Sequence, residues 1–279
     1  MASPSAGSNE FYPPAVHSGE LPVECLSARM ATIKVGKQPV TFNIHEDLLC
    51  HYSAFFHAAL RGGFKEATSL EVSLQEDDPE IADRAFRWLY SGHISKNRGI
   101  FTDMMYDIYD VNDEFYDGET FIYDINNESY DGEIFNLVHL WILGDKVHMP
   151  ALQNAVTRVL VERVMMIEQN SAFFSSSGLV KHVYANTLRS SPLRRLIIDA
   201  ALLIDQEDAC SKLMDVEEIP VEIVRDLAKR SMHFMEKAQH PASKNYISLT
   251  PYERMRECWD HYAVGATVAR ETLFAYPPA

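Results

Sequence analysis

The order of hydrophobic periods in this chain predicts an α+β fold, with strands and helices interleaved first and a small helical unit after them. Two observations carry that class. Between residues 30 and 92, runs that alternate every second residue are interleaved with runs that recur at three- and four-residue steps, and beyond residue 134 only the helical period remains. Ala31, Ile33 and Val35 alternate with Thr32 and Lys34, and Val40, Phe42 and Ile44 alternate with Thr41 and Asn43; Gly36 to Pro39 separate the two runs. That is a hairpin. Leu48, Leu49, Tyr52, Phe55, Phe56, Ala59 and Leu60 then define one helix over residues 46–61, stopped by Gly62-Gly63. Leu70, Val72 and Leu74 give a third strand. Asp78-Pro79 offers an N-cap followed by proline at the first helical position, for a helix that runs to Tyr90 and ends at Gly92.

Beyond residue 134 the chain reads as helices. Leu152, Val156, Val159 and Leu160 stripe a helix opened by Pro150, and Phe173 to Gly178 reads as a serine-rich loop. Ser191-Pro192 caps a helix whose apolar set is Leu193, Leu196, Ile197, Ala200, Ala201 and Ile204, with Arg194, Arg195 and Asp199 expected on its opposite, polar face. Pro220 opens another helix, and Thr250-Pro251-Tyr252-Glu253 is a capping box for a last one. Residues 1–20 and 275–279, rich in Pro, Ser and Ala, are expected to be disordered.

The segment from residue 38 to 93 resembles a BTB/POZ domain, with wording similar to the fungal members of that family. Phe42, His45, Leu48, Leu49, Ser53 and Phe56 match its F-x-x-H-x-x-L-L-x-x-x-S-x-x-F pattern, Phe64 to Ala67 its F-x-E loop, and Trp88, Tyr90 and Gly92 its helix ending in L-Y-x-G. Residues 134–149 resemble the family helix ending in A-D-K-Y-x-V. Further on, Val183 to Thr187 and Ser191 to Arg195 resemble a phrase that often follows the domain in fungal members. The implied organisation is a BTB-like domain over residues 21–166, a short mixed sheet capped by a helical cluster and carrying an insertion at 97–133, and a helical region over 167–279.

The insertion is acidic. Residues 97–135 hold eleven acids and one base, Arg98, a local charge of −10 within a chain total of −15. Binding to nucleic-acid phosphates is therefore disfavoured. Residues 108–121 and 122–135 are a tandem repeat, identical at ten of fourteen positions. Two readings stay open: slippage into a tolerated surface loop, or a docking segment in which Tyr109, Asp110, Glu114, Tyr116, Asp117, Tyr123, Asp124, Tyr130 and Asp131 meet a basic, apolar partner. Asp117-Gly118 and Asp131-Gly132 are suitable turn pairs for short hairpins.

Chemistry is not advertised. Asp110-x-Asn112-x-Glu114 imitates the start of a calcium loop, but Phe115 and Phe121 stand where that loop needs glycine and a bidentate glutamate. His51 and His57 are six helical residues apart, which turns them about 240° from each other. His45, at the start of the helix, is expected to bond the backbone there. The four cysteines, Cys25, Cys50, Cys210 and Cys258, are too dispersed for a C-x-x-C site. No nucleotide-binding, zinc-protease or nucleophile-elbow motif is present. The expectation is thus no catalytic residues, no metal and no cofactor. With no signal peptide and no apolar run of about 18 residues, the chain is expected to be soluble, with reduced thiols, in the cytoplasm or nucleus.

The resemblance implies a non-enzymatic protein–protein interaction module. Two uses go with it: self-association through the first hairpin and the helix of residues 46–61, as a homodimer, and adaptor work on a cullin-type ubiquitin-ligase scaffold. An alternative is a nuclear, transcription-linked scaffold that recruits its partner through the acidic aromatic repeat.

Overall fold

The structure, a computed structural model, describes residues 14, 16–21, 25, 29–94, 129–166, 177–204, 220–238 and 264. Two compact units are present, residues 1–93 with 143–152 and residues 94–142 with 153–279. The division runs through two helices.

In the first unit β1 (Met30–Val35) and β2 (Val40–His45) form the expected hairpin, with Met30 opposite His45 and Val35 opposite Val40. Gly36 makes its turn at φ 88°, and a Cβ there would stand 3.1 Å from Pro79 Cγ. β3 (Glu71–Leu74) pairs in parallel with β1, so the order is β2-β1-β3. Alternation does what it should: Ala31, Ile33 and Val35 are fully buried with Val72 and Leu74 beside them. The other face is polar. There Thr32 Oγ1 donates to Asn43 Oδ1 at 3.1 Å and Lys34 pairs with Glu71 at 2.6 Å.

The single helix expected over residues 46–61 is instead two, α1 (Glu46–Tyr52) and α2 (Ala54–Arg61), separated by Ser53 in an extended conformation at φ −132°. A break in mid-helix frees backbone groups that must be satisfied elsewhere. Ser53 Oγ accepts from Phe56 N at 3.0 Å and donates to Val147 O at 2.5 Å, and Ala54 N donates to His148 O at 3.3 Å. Those acceptors lie more than ninety residues downstream, where no local period can register them.

After Gly63 the expected loop contains a further turn, α3 (Lys65–Ser69). Leu70, expected in the third strand, adopts the left-handed conformation at φ 54°; its N–H bonds Glu66 O and its carbonyl accepts from Thr32 N, both at 2.8 Å. The strand therefore starts one residue later. α4 (Pro79–Ser91) begins as expected, with Asp78 Oδ1 accepting from Glu80 N at 2.7 Å, and Gly92 closes it at φ 73°. One end of the chain departs from expectation. His17, placed in the disordered N-terminus on composition alone, stacks on Tyr52 at 4.8 Å, meets Trp88 edge-on at 5.2 Å and bonds Leu89 O at 3.1 Å. Gly92 leaves room for it, since a Cβ there would come within 2.8 Å of His17 Nδ1.

The helices that follow are α5 (Ser129–Lys146), α6 (Pro150–Met166), α7 (Ser177–Asn186), α8 (Pro192–Ile204) and α9 (Val221–Ala238). Residues 143–152, at the α5–α6 corner, belong to the first unit, where Leu143, Val147, Met149 and Leu152 are buried. α5 starts at Ser129, inside the second repeat, so Asp131-Gly132 is helical and not the hairpin turn its composition suggests. The apolar set Ile134, Leu137, Val138 and Trp141, all buried, recruits the preceding turn into the helix.

In the second unit Trp141 Nε1 donates to Thr157 Oγ1 at 3.1 Å. Arg194 and Asp199, expected on the polar side of α8, are buried at 5% and 1% exposure. Arg194 reaches back to the end of α7, donating to Tyr184 O at 2.6 Å, to Thr187 Oγ1 at 3.0 Å and to Thr187 O, while its guanidinium lies 4.3 Å from the Tyr184 ring. Asp199 takes both ends of Arg230 from α9, at 2.5 and 2.8 Å. Charge is admitted to this core because every ion is paired or bonded. The helix expected from Thr250 lies outside the described residues.

Ser53→Ala should destabilise the protein by about 2–4 kcal/mol, the sum of a lost N-cap and a buried carbonyl left unmatched. Urea unfolding of the variant checks this, with the slope expected to stay unchanged.

Candidate functional site

The residues that match the sequence pattern form a framework more than a reactive site. Leu48, Leu49, Ser53, Phe56 and Trp88 are fully buried. Phe42 is half-buried against Phe86, with ring centroids 5.1 Å apart. His45 does not bond the backbone as expected: its Nδ1 lies 2.8 Å from the Tyr90 hydroxyl, which also accepts from His45 N at 3.2 Å. Tyr90 thus locks the end of β2 to the last turn of α4. His17 of the N-terminal segment, Tyr52 of α1 and Trp88 of α4 make an aromatic cluster.

Sequence reasoning missed Glu46. Its carboxylate is 4% exposed and takes Arg29 at 2.8 Å and Arg61 at 3.3 Å, while Arg61 also holds Asp47. One acid thereby ties the approach to β1, the start of α1 and the end of α2. Its position directly after a strand and at the first helical residue was the available signal, since acids there complement the helix dipole. Beneath it, burial pushes the Cys50 thiol up to about 12, against the opposing pull of Arg61. A thiol in that state packs and does not attack.

What the first unit offers outward is surface. Met30 and Val40 are exposed on the hairpin, Ala58 on α2 and Phe64 on the turn before α3. Among the described residues β2 and β3 are the edges of the sheet. A shallow cleft at the hairpin turn is lined by Gly36, Lys37, Glu76, Asp77 and Pro79. Its charges are already engaged, Glu76 with Lys37 at 3.9 Å, Asp77 with Lys146 at 2.7 Å, and Asp78 beside them as a helix cap. Among the described residues no three His, Cys, Asp or Glu side chains gather as a metal site, and no helix is long and apolar enough to cross a membrane.

The second unit stacks His139 of α5 on His182 of α7, with centroids 4.2 Å apart and planes within 1°. Phe135 caps the pair, 4.5 and 5.3 Å from the two rings. Of the residues proposed to bind a partner, Tyr109, Asp110, Glu114, Tyr116, Asp117, Tyr123 and Asp124 lie outside the described residues. Tyr130 and Asp131 fall in the first turn of α5, their side chains likewise outside.

Compared with known proteins, residues 31–120 match the BTB/POZ domain. The chain therefore carries a BTB/POZ domain, and the mixed sheet with its helical cap is the fold expected of one. Such domains are generally interaction modules. A search of curated proteins finds no match to the chain.

Two predictions follow from these side chains. Cys50 should resist iodoacetamide at about pH 8 in the folded protein and react once the chain is denatured, as mass spectrometry of the alkylated peptide would show. Burial also holds His17 and His182 below the ordinary histidine value of about 6.5, with the Leu89 carbonyl partly opposing the shift at His17. As pH falls through that value the unfolded chain takes up these protons first, so their stabilisation is complete above it and declines below. The melting temperature should drop between about pH 7.5 and 5.5, and drop less in His17→Gln.

Proposed function

We propose that this protein is a non-enzymatic interaction module that self-associates and serves as an adaptor on a cullin-type ubiquitin-ligase scaffold. The BTB/POZ domain over residues 31–120 is the observation that carries the reading. The self-association surface in this proposal is the first hairpin with α1 and α2. Met30, Val40 and Ala58 are exposed there, and edge strand β2 offers backbone groups to a second chain. The module acts in the cytoplasm or nucleus, where the buried thiols of Cys25 and Cys50 stay reduced. The phrase formed by Tyr184, Thr187 and Arg194 supports a fungal setting and a helical region over residues 167–279 that accompanies the domain.

Sedimentation equilibrium of the full chain at low micromolar concentration tests self-association, and a dimer is the expected result. Val40→Asp and Ala58→Asp together should weaken it at least about tenfold, roughly 1.4 kcal/mol, without lowering the melting temperature. A monomer at tens of micromolar would remove the dimer. Titration with a purified cullin amino-terminal scaffold tests the adaptor role, and no binding at that concentration would remove it.

A further inference from the structure

Helix α9 buries one side and leaves a second apolar stripe uncovered. Ile223 and Leu227 are buried, and Arg230 is buried on Asp199, whereas Val221, Val224 and Met232 are 71%, 37% and 64% exposed and Ala228 between them is exposed as well. At about 100° per residue the exposed four fall within an arc of roughly 80°, on the side away from Ile223 and Arg230. Lone exposed apolar residues need no explanation, but a stripe on one helix face does.

Charge identifies what suits it. Along one flank of the stripe stand Arg225 and Lys229, both exposed and both without an ion-pair partner among the described residues. The acids nearest these bases are engaged elsewhere: Glu222 accepts from Arg189 at 2.8 Å and Arg194 at 3.0 Å, and Asp226 accepts from the Tyr184 hydroxyl at 3.0 Å. A second copy of α9 laid on the stripe would bring like charges together. An acidic segment with apolar or aromatic residues at helical spacing would satisfy both the stripe and its flank.

This chain contains such a segment. A Tyr–Asp pair recurs every seventh residue, at Tyr109, Tyr116, Tyr123 and Tyr130. Seven is the period of a seam that lies along another helix. We propose that the acidic Tyr–Asp repeat of the same chain docks on the Val221–Met232 stripe of α9, with its aspartates facing Arg225 and Lys229.

Zero-length carbodiimide cross-linking of the full chain, read by mass spectrometry, tests this. Lys229 should couple to an Asp or Glu of residues 103–133 at a higher yield than exposed Lys65 does. The yield should fall severalfold as salt rises from about 0.05 to 0.5 M. Arg225→Glu and, separately, Met232→Asp should each cut it at least about fivefold with melting unchanged, and Arg225→Lys should restore it. Equal yields at Lys229 and Lys65, or a yield indifferent to those substitutions, would overturn the proposal. So would cross-links that join 14N to 15N chains in a mixed sample, since the occupant would then be a second copy.

Discussion

The first unit depends on one buried hydroxyl. Ser53 interrupts what would otherwise be a continuous helix, caps the second half through Phe56 N and reaches Val147 O on chain that returns only after the acidic segment of residues 97–135. A helix broken inside a core is tolerable only if the freed backbone groups are matched. Here they are matched by the α5–α6 corner, so the corner's placement and the break specify each other.

Around that bond the unit is organised by a few polar contacts laid over ordinary apolar burial. Glu46 gathers two arginines at the start of α1, and Tyr90 fixes His45 at the end of β2. These contacts orient elements whose burial supplies most of the stability. The carboxylates of the hairpin cleft are paired or cap a helix, and burial holds the Cys50 thiol protonated.

The second unit solves a different problem, namely how short helices with charged residues in their packing faces form a core. Arg194 closes the carbonyl end of α7, and Asp199 neutralises Arg230 of α9. Truncating one partner of such a buried pair typically costs about 3–5 kcal/mol. The phrase formed by Tyr184, Thr187, Ser191 and Arg194 has a physical meaning in that light. It supplies the ring, the carbonyl, the cap and the guanidinium of a single interhelical joint.

Local periodicity by itself determined the three strands, the helix opened by Asp78-Pro79 and the helices begun at Pro150, Pro192 and Pro220, because each rests on an alternation or a cap within a few residues. It also marked Leu48, Leu49 and Phe56 as core, whereas Trp88 was marked by the family resemblance. What it did not determine were features whose cause lies far along the chain. The break at Ser53 needs Val147, the burial of Arg194 and Asp199 needs α7 and α9, and the docking of His17 needs Tyr52, Trp88 and the missing side chain of Gly92. The helical start of α5 at Ser129 belongs with these, since local composition favoured a turn at Asp131-Gly132 and the burial of Ile134, Leu137 and Trp141 overrode it. Sequence records the preferences of neighbours, whereas a buried polar group is decided by whichever distant residue completes its hydrogen bonds.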